Sequence, residues 1–389
     1  MSSPKIFLNK NVFEESYVPR RILHRNEQIH KIRQILSDIE RFKSRPSNMM
    51  FIGGFGSGKT ALIRSFSRDL PLMFADCVFA YVNCSKSDTE TRVYRAALEQ
   101  LGVSAKHGFP GDFYVRWFQE TVGLHQCVLL ILDEINVLLE RDSAEANRLF
   151  YFLSRLVNNV VVVMLTNRVT FPATLRNELD SGTLDTFRWE TISFGGYYCN
   201  ELSDILEDRC KIGFQPGTYD KGIIAMMAKC CYDQGLSARG LMSLAFRAGE
   251  EAEQNNHATI MEEDVREANS QLMAVQDLEV VRRLSPPTLA VLAYIQGKSP
   301  IYEVAHKQWQ SYAAEHKIGG SETRFQLRVK ELEDLALIIR EIRGKGRGRG
   351  QVTRLLINPS MADVVRQALQ PEEEETHGTT ATTRNEEPL

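Results

Sequence analysis

The stretch "MMFIGGFGSGKTALIRSF", Met49 to Phe66, decides how the chain is read. An apolar run, Met49 to Ile52, leads into a glycine-rich turn, and Ala61 to Phe66 carry helical spacing beyond it. Gly53, Gly58, Lys59 and Thr60 satisfy G-x-x-x-x-G-K-[ST] without a mismatch. Glycines let the backbone curl and turn its N–H groups inward, and the helix adds free N–H groups and the positive end of its dipole. The phosphate cradle is therefore expected to be Gly53, Gly54, Phe55, Gly56, Ser57, Gly58, Lys59, Thr60 and Ala61. Lys59 would reach the β- and γ-phosphates, and the Thr60 hydroxyl would hold Mg²⁺.

Working outward, the apolar runs Met49–Ile52, Val78–Val82, Val128–Leu132, Val160–Leu165 and Thr191–Phe194 read as strands. Between them Thr89–Leu101, Phe113–Val122 and Ala144–Val157 carry apolar residues at helical spacing. Strand, helix, strand at this rhythm predicts βαβ units and a parallel sheet. From about Cys199 the strand signal stops, and four helical patterns follow, from "NELSDILEDRC" to "MEEDVREANSQLMAV". After Leu284 come three more helices, the third capped by Ser321, and then "LIIREIRGKGRGRGQVTRLLIN", read as strand, glycine-rich turn, strand. Three helices and a hairpin predict a winged helix. The end, from Pro371, is acidic, Thr-rich and without periodicity, a disordered tail.

"VLLILDEIN" supplies the partner carboxylate that a phosphate loop needs. Asp133 would hold the metal through water, and Glu134 would orient and deprotonate an attacking water. The bland alternative is a helix that merely starts with acidic residues. Asn167, closing "VVVVMLTN", would face the crevice and bond the γ-phosphate or the water, or else simply begin a turn. Arg239, in "SARG", would reach back over the γ-phosphate from a lid helix, or else lie solvated on the surface.

The ordered set of phosphate loop, "LDEIN", "TN", helical lid with "SAR" and winged helix resembles the AAA+ ATPases. Within them it is similar to the archaeal replication initiators related to the origin recognition complex and its helicase-loading partner. The resemblance runs over roughly residues 11 to 367. The N-terminal "VFEESYVPRRILHRNEQIHKIRQIL" is similar to the segment that leads into that family's adenine pocket, with Tyr17, Pro19 and Arg25 on the matching positions and Val12 and Phe13 flanking the base. The resemblance implies an α/β fold: an AAA+ parallel-sheet core over 1–198, a helical lid over 199–280, a winged-helix DNA-binding domain over 281–370 and the tail over 371–389. It also implies a DNA-contacting helix before the "LDE" strand, where Arg116 and Trp117 stand, although aromatics at helical spacing are more often core. One departure is plain. Where family members carry an arginine finger, Leu179–Asp180 is followed by Ser181 and Gly182, with Arg176 and Arg188 out of register. Its loss predicts slow hydrolysis, or an Arg supplied by a partner.

The 389 residues suggest two or three domains, and 43% hydrophobic with 25% charged residues is the composition of a soluble protein with a real core. A net charge of −3 gives no global nucleic-acid signal, so any DNA-binding charge must be local. It is concentrated from Arg340 to Arg354, above all in Arg343, Lys345, Arg347 and Arg349 of the wing. Arg324, Arg328 and Lys330 of the third helix would face the major groove, with Phe325, Leu327, Val329 and Leu332 available for the core. A solvated basic hairpin or a protein-binding winged helix is the alternative. Seven cysteines, an odd number without a C-x-x-C pair, argue against a disulfide framework or a zinc site. No signal-peptide core or membrane-length apolar run appears, so the expected location is cytoplasmic.

The expected function is an initiator that binds ATP or ADP with Mg²⁺, recognises double-stranded origin DNA and helps load the replicative helicase, with paralogous initiators as further partners. A weak ATPase would act as its switch. The alternatives are a helper ATPase for transposition or repair, and a nucleotide-gated transcription regulator.

Overall fold

The computed structural model describes residues 5–42, 47–73, 77–105, 108–155, 159–315, 321–344 and 351–369. The chain forms two compact units, residues 1–269 and 270–389. The first opens with a 3-10 turn at Lys10–Phe13 and continues through α1 (Asn26–Phe42), β1 (Asn48–Ile52), α2 (Lys59–Met73), β2 (Cys77–Asn83), α3 (Glu90–Gln100) and α4 (Gly111–Val122). Then follow β3 (Cys127–Asp133), α5 (Asn136–Arg141), α6 (Ser143–Arg155), β4 (Val160–Thr166), α7 (Phe171–Glu178), α8 (Ser181–Thr186) and β5 (Trp189–Ser193).

The five strands pair in parallel in the order β2-β3-β4-β1-β5. β1, β3 and β4 are buried along their whole length, as strands covered on both faces must be. Their side chains alternate between two cores. Met50, Leu130 and Val162 pack with α3, α4 and α6 residues such as Tyr94, Phe118 and Phe150. Met49, Phe51, Leu129 and Val161 pack with Ile32, Leu62 and Phe66 of α1 and α2. Because β3 and β4 are inserted between β1 and β2, the carboxyl ends of β1, β4 and β3 lie side by side. That is where an open α/β sheet collects ligands.

The lid comprises α9 (Cys199–Gly213), α10 (Lys221–Asp233), α11 (Ala238–Gln254) and α12 (Glu262–Arg282). The compact units part at 269/270, inside α12 and earlier than the 280/281 boundary expected from the sequence. The N-terminal segment is built into this lid. Leu8 and Asn9 N–H groups donate to the Gly213 carbonyl, and the Gln215 N–H donates to Ile6 O. Phe7 packs against Phe13, Phe214 and Phe246. Asp264, fully buried, caps α12 by accepting from Met261 N–H, and its other contacts are Asn255 Nδ2 and His257 Nδ1.

The second unit holds α13 (Pro286–Lys298), α14 (Tyr302–Glu315), α15 (Glu322–Asp334), an antiparallel hairpin of β6 (Ile338–Gly344) and β7 (Gln351–Ile357), and α16 (Ala362–Ala368). This is a winged helix. Ser285 caps α13 just before its two prolines, and Ser321 caps α15 by accepting from Arg324 N–H, as expected. Trp309, fully buried, packs against Tyr294 and Phe325. One expectation is corrected: Leu327 is not in the core but 63% exposed, while Phe325, Val329 and Leu332 are buried. The expected tail, 371–389, lies outside the described residues. Among the described residues no helix is long and apolar enough to cross a membrane.

Two predictions concern the lid. A Cβ on Gly249 would come within 2.5 Å of the Phe7 ring and 2.9 Å of Phe214. Gly249→Ala should therefore overpack this junction and destabilise the first unit by on the order of 1–3 kcal/mol, read from denaturant unfolding. The hydrogen bond to Asp264 raises the His257 pKa against the opposing effect of desolvation. The charged imidazolium thus stabilises the fold below about pH 6.5, and that contribution is lost as pH rises through the raised folded value. The difference in thermal midpoint between wild type and His257→Gln should accordingly shrink on going from about pH 6 to about pH 9.

Candidate nucleotide-binding site

The loop after β1 turns through Gly56 and Gly58 at φ +64° and +91°, a left-handed backbone that glycine adopts without strain. α2 then starts at Lys59, so its free N–H groups open onto the loop. The Lys59 ammonium is drawn under the loop and donates to Gly53 O at 2.6 Å and Gly54 O at 2.9 Å. Burial pulls its pKa down; Asp133 opposes this and Arg239 adds to it.

A second cation braces the same loop from beneath. Arg25, 5% exposed, donates to Ser57 O at 2.9 and 3.1 Å, to Gly195 O at 2.8 Å and to His24 O at 3.0 Å. Its guanidinium lies 3.7 Å from the Tyr197 ring centroid. Burial lowers its pKa, and Tyr197 and Glu201 counteract this.

Asp133, at the end of β3, is 7% exposed. Its Oδ2 accepts from Thr60 Oγ1 at 2.9 Å and from the Tyr81 hydroxyl at 2.6 Å, and its Oδ1 accepts from Glu134 N–H at 3.0 Å. Burial and this carboxylate both push the Tyr81 phenol pKa well up. Glu134 itself stands at φ +56°, a left-handed conformation that is strained for a non-glycine residue by about 1–3 kcal/mol. Next to it Asn167 follows β4, and its Oδ1 is buried with no hydrogen-bond partner among the described residues. An orphaned acceptor of this kind suits the O–H of a water. Arg239, in the first turn of α11, pairs with Glu15 at 2.6 Å.

Lys59, Thr60, Tyr81, Asp133, Glu134, Asn167 and Arg239 surround one cavity of about 650 Å³, a volume suited to a nucleotide. Of the residues singled out in the sequence, Phe13, Tyr17, Pro19, Phe55, Gly56, Ser57, Gly58, Lys59, Thr60, Ala61, Asp133, Glu134, Asn167 and Arg239 line it. Val12, Arg25, Gly53 and Gly54 do not. Val12 is fully buried, and its carbonyl accepts from Arg209 at 2.5 Å. Arg25 supports the loop from behind. Arg209, whose guanidinium also lies 4.4 Å from the Tyr17 ring centroid, was missed in the sequence, as were Tyr81, Tyr197 and Glu15. Glu15 lies inside the quoted N-terminal segment without being singled out there, and the other three belong to no local pattern.

In the second unit Arg324 and Lys330 are exposed on α15, and Arg328 is half-buried. Arg343 lies on β6, paired in register with Val352. Lys345, Arg347 and Arg349 lie outside the described residues. In the first unit Arg116 is exposed, whereas Trp117 packs partly buried against the sheet core. Asp180, just before Ser181 and Gly182, caps α8 by accepting from Thr183 N–H.

Residues 41–172 match the AAA domain family, and residues 203–270 match the Cdc6 AAA+ ATPase-type lid domain. ORC1-type DNA replication protein 1 of Methanosarcina acetivorans is 30% identical over 306 residues, 75% of this chain and 71% of that protein. The chain belongs to the ORC1-type DNA replication protein family. The fold of the chain is also that of two solved structures. The Aeropyrum pernix ORC1 protein in complex with DNA matches with a TM-score of 0.67 at 24% identity, covering 93% of this chain and 96% of that one. The Aeropyrum pernix ORC2 protein, in ADPNP–ADP complexes, matches with a TM-score of 0.63 at 19% identity, covering 93% and 98%.

The brace under the loop is open to test. Arg25→Ala would leave converging carbonyls without a donor and should cost on the order of 3 kcal/mol of stability in denaturant unfolding. Arg25→Lys should recover only part of this, because one ammonium nitrogen cannot stand in for three, with Nε and Nη2 on Ser57 O, Nη2 also on Gly195 O and Nη1 on His24 O.

Proposed function

We propose that the protein is an ATP-dependent replication initiator that binds origin DNA and helps load the replicative helicase, with slow ATP hydrolysis as a switch. The observation that carries this reading is the convergence of loop, metal carboxylate, Asn167 and lid arginine on one cavity, in a chain of the ORC1-type family. The Aeropyrum pernix relatives solved with DNA and with adenine nucleotides support the two ligands.

The cavity divides the work among its residues. Lys59 and the α2 N-terminus neutralise β- and γ-phosphate charge. Thr60 and Asp133 fit a Mg²⁺ site: a hydroxyl and one carboxylate, already in contact. Among the described residues no cluster of three or more His, Cys, Asp or Glu gathers here, so an ion would take its other ligands from phosphate and water, as Mg²⁺ prefers. Bound there, Mg²⁺ would offset charge on the phosphates. Glu134 would take the proton of the attacking water, and the unpartnered Asn167 Oδ1 would orient it. Arg239 would exchange Glu15 for the γ-phosphate and carry the lid with it. With Ser181 and Gly182 at the finger position, turnover would stay slow unless a partner supplied the Arg.

On the DNA side, exposed Arg324 and Lys330 of α15 would face the major groove, and the basic hairpin would hold the backbone. The test is binding to duplexes from candidate origins of the source genome against scrambled duplexes, in ATP and in ADP, at one near-physiological salt. The expected outcome is a preference of about a thousandfold or more that depends on the nucleotide. Weak, steeply salt-dependent binding, equal for both sequences and both nucleotides, would overturn the reading.

A further inference from the structure

Tyr81 belongs to none of the motifs read from the sequence, yet its hydroxyl makes the shortest contact to the metal carboxylate. The sheet register explains how it gets there. β2 and β3 run in parallel with Tyr81 opposite Ile131 and Asn83 opposite Asp133. Tyr81 and Asp133 therefore point to the same face, two positions apart on neighbouring strands, within the reach of a phenol. The ring is held from the other side by Arg64, whose guanidinium lies 4.1 Å from its centroid. Arg64 sits one helical turn beyond Thr60 on α2, so one helix supplies both the metal hydroxyl and the clamp on the tyrosine.

The hydrogen-bond inventory at Asp133 is what matters. Among the described residues Oδ2 receives two O–H donors, Thr60 and Tyr81, whereas Oδ1 receives only the Glu134 N–H. A hydroxyl has one proton and two lone pairs, so Thr60 can keep donating to Oδ2 while offering a lone pair to a cation. The Tyr81 proton anchors Oδ2 independently of Thr60. Oδ1 then keeps acceptor capacity for the water shell of an ion. Building on the nucleotide reading above, we propose that Tyr81 is a positioning residue for Mg²⁺: it fixes the rotamer of Asp133 and so sets the Mg²⁺ affinity of the nucleotide complex. A tyrosine that only filled the gap between β2 and α2 would be replaceable by phenylalanine without effect on the ion.

Tyr81→Phe keeps the ring and its stack on Arg64 and removes only the O–H. ATP binding is measured by calorimetry in excess EDTA and at increasing MgCl₂, with the thermal midpoint of each protein recorded without nucleotide. The expected result is an EDTA affinity and a thermal midpoint close to wild type, with the Mg²⁺ concentration for half-maximal enhancement raised about tenfold or more. In an Asp133→Asn background the same substitution should move that concentration by less than about twofold, since the two groups act as one unit. An unchanged Mg²⁺ midpoint in Tyr81→Phe, or an equal loss of affinity with and without Mg²⁺, overturns the role of Tyr81 and leaves the nucleotide reading standing. A wild-type protein that binds ATP under neither condition overturns the nucleotide reading itself, and the role of Tyr81 with it.

Discussion

The guanidinium of Arg25 is the fixed point of the site. A buried charge without compensation is very unfavourable, so the groups around it must converge. Here they are mainly carbonyls: Ser57 O from the phosphate loop, Gly195 O from the connection between β5 and the lid, and His24 O from the turn before α1. The Tyr197 ring covers the remaining face. Three segments distant in sequence are thereby brought to one cation, and the curl of the loop follows. Ser57 O can point down toward Arg25 only if the neighbouring N–H groups point up, toward the cavity. The left-handed turns at Gly56 and Gly58 make this geometry possible. Lys59 repeats the device closer to the ligand, with its ammonium on the Gly53 and Gly54 carbonyls. A loop tied from beneath by two cations already presents positive charge and free donors to a phosphate.

Much of the sheet was legible because burial on both faces writes a continuous apolar run. β1, β3 and β4 were found within a residue or so at each end for that reason. β5 was placed at Thr191–Phe194, whereas it spans Trp189–Ser193. Among the described residues it pairs only with β1, and its outward residues are exposed, so its apolar signal is weak. α5, α7 and α8 went unread because six to eight residues are too few to display a 3.6-residue period. Leu327 misled for a different reason. The buried stripe of α15 is Phe325, Val329 and Leu332, and Leu327 lies about 200° round the helix from Phe325. Apolar character suggested core where the angle forbids it.

The site was legible to the extent that its parts are local. The loop, "LDE" and Asn167 each sit within a few residues, and all three strand ends reach the cavity. The supporting contacts are not local. Arg209 meets the Val12 carbonyl across 197 positions, and Arg25 meets Gly195 across 170. Both bonds end on backbone oxygen, which any residue supplies, so no residue type on the accepting side announces them. That is also why Arg25 was assigned to the nucleotide when its guanidinium lies behind the loop. Tyr81 and Glu15 escaped for a related reason: a tyrosine in a strand and a glutamate in a loop are ordinary residues until the fold gives each a partner.

The lid and the N-terminal segment behave physically as one piece. Phe7, Phe214 and Phe246 share a core, the Gly213 carbonyl accepts two hydrogen bonds from the segment, and Gly249 is small because Phe7 leaves no room. One wall of the cavity therefore consists of the lid together with Phe13 and Tyr17, and the other of the loop and the strand ends. The Arg239–Glu15 pair lies within the first wall, and with side chains 51% and 63% exposed it contributes under about 1 kcal/mol. A phosphate bearing several charges competes readily with a single exposed carboxylate. In the proposed exchange of Glu15 for the γ-phosphate, the new contact of Arg239 would span both walls instead of one. A contact of that kind favours one lid position over the others, and the shift it produces is bounded by the difference in affinity between positions. The slow hydrolysis proposed above would suit such a device, because the information would lie in how long the γ-phosphate remains, not in how fast it is turned over.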